Sequence, residues 1–217
     1  PRPHPHFGLF SPVCHLPSFS LLVIDLFFSP FFTMHIKVGI IGFGMASRTF
    51  HFPLLSVHPD FTLTSICTSD PQKVTAFLTG VQGTSTLQQE GKSKMAHVKI
   101  VQTPEELVQC EVDLVVVATP NEYHLPLAKL ALAHGKDVIL EKPVAISADE
   151  ATDLEQFARE CGRLVVPFHN RRWDSDFLTL RALLQSGKLG EMREFHSHFD
   201  RFRPTVRDRW RERAGPG

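Results

Sequence analysis

Residues 42–47 read GFGMAS and follow directly on the apolar run IKVGII. A G-x-G turn between a buried strand and a helix can seat the pyrophosphate of a dinucleotide at the helix N-terminus. Gly42 permits the tight turn, and Gly44 lets the backbone approach the phosphates. Ser47 stands where a third glycine would pack helix on strand, a job a small residue can take over. The alternative is a plain strand-to-helix loop.

Three further stretches carry groups able to do chemistry. ATPNEYH covers Ala118–His124, EKP covers Glu141–Pro143, and FHNRRWDSDF covers Phe168–Phe177. A lysine can hold or relay a proton at an oxygen, which Lys142 could do, with a strand-capping surface lysine as the alternative. Asn121 is suited to an N-cap and His124 to a satisfied core position, and neither role rules out a contact with a cofactor.

Strands and helices must bring these stretches together. Apolar runs rich in Val, Ile and Leu occur at Ile36–Ile41, Leu63–Cys67, Val98–Val101, Asp113–Ala118, Asp137–Leu140 and Leu164–Phe168. Short, nearly continuous apolar runs are expected of strands buried on both faces of a parallel sheet. Between them, Glu122–His134 has a helical apolar face and is followed by Gly135 as a C-cap. Ser147 and Glu150 form a capping-box pair for a helix running to Gly162. This alternation predicts an α/β fold, a Rossmann-type doubly wound parallel sheet. The polar stretch Gly80–Ala96 is expected to be a long surface loop. After Phe168 a helix is expected at Phe177–Gln185, then a half-buried antiparallel strand at Met192–Phe202 that opens an incomplete α+β second domain.

In this frame every chemistry-bearing stretch lies beyond the carboxyl end of a strand, where open α/β sheets bind ligands. The turn Gly42, Phe43, Gly44, Met45 and Ala46 becomes the phosphate seat. At the end of the second strand, an acidic residue would bind both ribose hydroxyls of the adenosine and repel a 2′-phosphate. Thr68 and Ser69 stand there, with Asp70 one step later. Hydroxyls tolerate a phosphate, so the expected cofactor is NADP, with NAD the alternative.

The set GFGMASRTFH, ATPNEYH, EKP and FHNRRWDSDF resembles the Gfo/Idh/MocA family of NAD(P)-dependent oxidoreductases, from about Met34 onward. The resemblance implies that Thr119, Pro120, Asn121 and His124 line the nicotinamide half of the cofactor. It implies that Glu141 contacts the nicotinamide ribose and that Lys142 is catalytic at the substrate hydroxyl or carbonyl. Arg171, Arg172 and Trp173 would lie near the cofactor. The implied substrate is a small sugar, polyol or related carbonyl compound, and the implied full-length parent is a homo-oligomer. The family continues into a segment with an Asp and a His that complete the site, whereas this sequence stops at Gly217. The alternative function is therefore a catalytically silent nucleotide-binding fragment, expected to bind NADP weakly and to self-associate.

Other classes are disfavoured. Hydrophobic residues make up 42% of the 217, and Lys plus Arg equal Asp plus Glu at 23 each, so no chain-wide field attracts nucleic acid or acidic membranes. The arginines from Arg201 to Arg213 are diluted by Asp208 and Glu212. Glu194, His196, His198 and Asp200 share a strand face that is read as solvated or subunit-facing, with no metal. Four scattered cysteines without a CxxC pair suit a reduced, cytoplasmic protein. In residues 1–33 the best apolar window, Leu21–Phe32, is broken by Asp25 and Pro30 and falls short of the roughly 20 residues of a spanning helix. The expected organisation is a non-native or disordered leader over 1–33, with a cleaved targeting segment the alternative. A dinucleotide-binding domain over 34–168 and the start of a second domain over 169–217 follow.

Overall fold

Six parallel strands stand in the order β3-β2-β1-β4-β5-β6. They are β1 Ile36–Ile41, β2 Phe61–Cys67, β3 Lys99–Val101, β4 Leu114–Val117, β5 Asp137–Leu140 and β6 Val165–Pro167. The structure is a computed structural model that describes residues 35–81, 97–202 and 204–205. The expected leader, and 82–96 of the expected loop, lie outside the described residues; Gly80 and Val81 belong to a helix.

Strand register fixes where the site forms. Ile41 pairs with Cys67 on one side and Val117 on the other, and Val117 pairs with Leu140. The next residues, Gly42, Thr68, Ala118 and Glu141, therefore leave the sheet along one edge. Their amides continue the ladder: Gly42 N–H donates to Cys67 O (3.0 Å), Ala118 N–H to Ile41 O (2.9 Å) and Glu141 N–H to Val117 O (3.0 Å). From β1 the chain goes to β2 and β3, then returns to β4 on the other side of β1. That reversal opens a crevice between β1 and β4.

The helices are α1 Phe52–Val57, α2 Pro71–Val81, α3 Pro104–Val108, α4 His124–Ala133, α5 Ala148–Cys161 and α6 Ser175–Gln185. A π turn at Ser47–His51 runs straight into α1, and 3₁₀ turns occupy Asn121–Tyr123 and Asn170–Trp173. Successive valines of β4 show why the strands are apolar throughout. Val115 and Val117 join Leu132, Leu140 and Leu154 in one cluster, while Val116 joins Val38, Ile66 and Phe52 in the other. Side chains alternate across the pleat, so both faces of the sheet need apolar cover. At α5, Glu150 N–H donates to Ser147 Oγ (3.2 Å), but the Glu150 carboxylate accepts from the Ile146 amide rather than that of Ser147. Half of the expected capping box forms as drawn. Among the described residues no helix is long and apolar enough to cross a membrane.

One expected element is corrected. Residues 192–202 form no strand, and Phe195, Phe199 and Phe202 are exposed. Alternation gives a segment two unlike faces, but a strand exists only when its amides and carbonyls meet a partner. Among the described residues none pairs with it.

Candidate active site

The phosphate turn is built from backbone constraints. Gly42 has φ 90°, and a Cβ there would lie 2.6 Å from the Ala118 carbonyl oxygen. Only glycine fits that approach of β1's exit to β4's exit. At Gly44 a Cβ would meet no atom within 4 Å, so the backbone faces open space. Ser47 is buried and its Oγ donates to Gly42 O at 2.6 Å. Phe43 turns its ring into the core, edge-on to Phe52 and Phe77. It therefore offers only backbone to a ligand.

At the end of β2, the Asp70 amide donates to Thr68 Oγ1 (3.1 Å) and Asp70 Oδ1 accepts from the Lys73 amide (3.0 Å). The nearest carboxylate is thus engaged at the start of α2, an arrangement that satisfies a free helical N–H. Thr68 and Ser69 line the crevice at this strand end together with Cys67.

Glu141, Lys142 and Pro143 follow β5, with a cis bond between Lys142 and Pro143. Glu141 is buried at 8% exposure; its Oε1 lies 2.9 Å from His51 Nε2, and its Oε2 accepts from the Lys142 amide at 3.2 Å. Burial opposes ionisation of this carboxyl, but the His51 hydrogen bond and charge, the Lys142 amide and the Lys142 ammonium outweigh it. The carboxyl is held below its ordinary value. On the other side of Lys142, His124 is buried with Nδ1 2.7 Å from Pro143 O and Nε2 3.0 Å from Thr119 O. His124 therefore joins the β4 exit to the β5 exit from behind the crevice wall. Asn121 is buried beside it, and Thr119 Oγ1 is the buried side-chain oxygen without a hydrogen-bond partner among the described residues.

A cleft of about 660 Å³ runs along these exits. Of the residues expected at the cofactor, Gly42, Gly44, Met45, Ala46, Thr68, Ser69, Thr119, Pro120, Glu141 and Lys142 line it. Phe43, Asn121 and His124 stand behind it. Arg171 and Arg172 line a second cavity of about 790 Å³ with His169, Asn170 and Phe177, and Lys142 borders both. Arg171 is paired with Asp174 at 2.7 Å, and Trp173 is 72% exposed on neither cavity. Sequence reasoning passed over Gln102 and Tyr123, which also line the cleft, and His51, which holds Glu141. His51 stands four residues after Ser47, at the end of GFGMASRTFH, and nothing in that stretch ties it to Glu141.

These residues fit a dinucleotide. Across the sheet the hydroxyls at the end of β2, the bare Gly44 backbone after β1 and the carboxylate beside a lysine at the end of β5 follow in the order of a dinucleotide's adenosine ribose, phosphates and reactive half. Fold and cleft define a nucleotide-binding Rossmann protein. The family described as "Oxidoreductase family, NAD-binding Rossmann fold" matches residues 36–169, and the Gfo/Idh/MocA C-terminal domain matches residues 177–217. The chain belongs to the Gfo/Idh/MocA oxidoreductase family. It is 47% identical to the uncharacterized oxidoreductase YdgJ of Escherichia coli, over 84% of this chain and 48% of YdgJ. It is 34% identical to scyllo-inositol 2-dehydrogenase (NADP(+)) IolW of Bacillus subtilis, over 83% of this chain and 46% of IolW. The solved structure of the Yersinia pestis protein YPO2259 aligns with a TM-score of 0.71 at 43% identity, over 83% of this chain and 48% of that one. The chain spans about half the length of the curated relatives it matches.

Proposed function

We propose that the protein is an NADP-dependent oxidoreductase that interconverts a hydroxyl and a carbonyl group on a polyol or sugar-like substrate, in the cytoplasm. The observation that carries this reading is the single cleft shared by the Gly42–Ala46 turn, the hydroxyls of Thr68 and Ser69, and the Glu141–Lys142 pair. The nicotinamide, when bound, supplies or accepts the hydride. Gly44 would hold the pyrophosphate, and Glu141 would accept hydrogen bonds from the nicotinamide ribose. Lys142 lies on the cleft and on the adjoining cavity, so its ammonium can hold or move the proton at the substrate oxygen. Arg171 and Arg172 would border the substrate's approach. The engagement of Asp70 at α2, with the hydroxyls of Thr68 and Ser69 on the cleft at the end of β2, supports NADP over NAD. IolW, whose name specifies scyllo-inositol and NADP(+), is the relative that points to a polyol.

The test is a titration of the chain with NADP and with NAD, followed by an assay of cyclic and open-chain polyols, scyllo-inositol among them, for formation of reduced nicotinamide. Tighter binding of NADP and turnover of a polyol are expected. Failure to bind either dinucleotide would remove the reading.

A further inference from the structure

His51 is buried at 3% exposure and comes from the π turn that follows the phosphate turn, yet its imidazole reaches Glu141 at the far side of β4. The ring is seated against Phe168, with centroids 4.2 Å apart. A buried side chain at this point could be any apolar group if packing were the only demand. An imidazole costs desolvation, and that cost is offset here by the 2.9 Å contact with Glu141 Oε1. The other carboxylate oxygen accepts from the Lys142 amide. One imidazole thus fixes the carboxylate, and the carboxylate fixes the backbone from which the lysine side chain departs.

On the other flank, the Pro143 carbonyl lies 2.7 Å from His124 Nδ1. Residues 141 and 143 are both anchored by buried histidines, and residue 142 is left with its side chain on the two cavities. We propose that His51 is a positioning residue that sets Lys142, through Glu141, at the point where cofactor and substrate meet. This rests on the function proposed above. A group held this way keeps a narrow range of orientations, and small misplacements of reacting groups are costly in rate.

The test compares His51→Gln, whose amide nitrogen can replace Nε2 as donor to Glu141, with His51→Leu, which fills the space without a donor. Two quantities are read on the full chain: the ¹⁵N–¹H resonance of the Lys142 amide, assigned with Lys142→Arg, and kcat against KM on the polyol that the parent turns over. His51→Leu should shift the Lys142 amide and lower kcat by about tenfold to a hundredfold with KM little changed. His51→Gln should restore the amide resonance and most of kcat. If His51→Leu does not fold, His51→Asn, too short to reach Glu141, takes its place. Equal behaviour of the donor and non-donor variants overturns the proposal, as does an unmoved Lys142 amide. Lys142→Ala separates the two readings: full turnover without Lys142 sinks the proposed function, while the amide resonance, which needs no turnover, still decides whether His51 holds the loop.

Discussion

The Ser47 hydroxyl donates to the Gly42 carbonyl at 2.6 Å, so the first helical turn is tied back to the phosphate turn by a side chain. A glycine at 47 could pack there but could not make this bond. Ser47→Ala should therefore cost about 0.5–1.5 kcal/mol of stability, the usual net worth of one hydrogen bond. Denaturant unfolding measures it, and a change below about 0.3 kcal/mol, well under that range, would show the bond to be idle.

Gly44→Val should leave the fold in place and abolish NADP binding. The added atoms enter space that is open within the protein and that the pyrophosphate would need. Calorimetric titration of a variant with parental circular dichroism gives the answer. Equal affinity would remove the turn from the cofactor site.

Lys142→Ala should leave NADP affinity within a few-fold and lower kcat by roughly 10²–10⁴, the range of a lost acid–base group. Steady-state kinetics with saturating cofactor decides this, since an unchanged kcat would make Lys142 structural.

Ser69→Asp should turn the preference from NADP toward NAD. A carboxylate on this rim of the cleft would repel a 2′-phosphate and accept from a 2′-hydroxyl, and about 1.4 kcal/mol of difference is a tenfold change in the ratio of dissociation constants. Titrations with both cofactors report the ratio, and one that does not move would place the adenosine ribose elsewhere.

Glu141 gives the fold an acid-sensitive contact. Its folded-state pKa lies below its ordinary value, so the native state binds fewer protons than the unfolded chain in the acid range. Its contribution is present above the unfolded pKa, about 4.3, and is lost as pH falls through the depressed folded value. Melting temperature followed from pH 6 downward should drop more steeply for the parent than for Glu141→Gln, and parallel curves would contradict the linkage. At the same strand ends, burial first and then the charges of Glu105 and Glu106 push the Cys67 thiol up to about 11.

The parallel sheet was legible because strands buried on two faces leave unbroken apolar runs, and all six runs became strands with ends shifted by two residues or fewer. The cleft residues were legible for a related reason, since strand ends in register must deliver their next residues to one edge. Contacts between distant side chains were not. Nothing near His51 in the sequence points to Glu141, because their meeting depends on β1, β4 and β5 lying side by side and on a π turn that no pattern announced. The sequence places Phe43 in the phosphate seat without showing that a turn's backbone and its side chain face opposite ways, and this ring belongs to the core. The alternation of Met192–Phe202 was real, yet local pattern says nothing about whether a partner strand adjoins it.

The two glycines of the first turn divide labour in a way that genetics could use. Position 42 is closed by the Ala118 carbonyl, whereas position 44 borders only open space. Alleles at 42 should behave as losses of the protein itself, with little product to be found by immunoblot. Alleles at 44 should accumulate to parental abundance while failing to complement. Two residues apart, the same amino acid would thus separate a requirement for existing from a requirement for working.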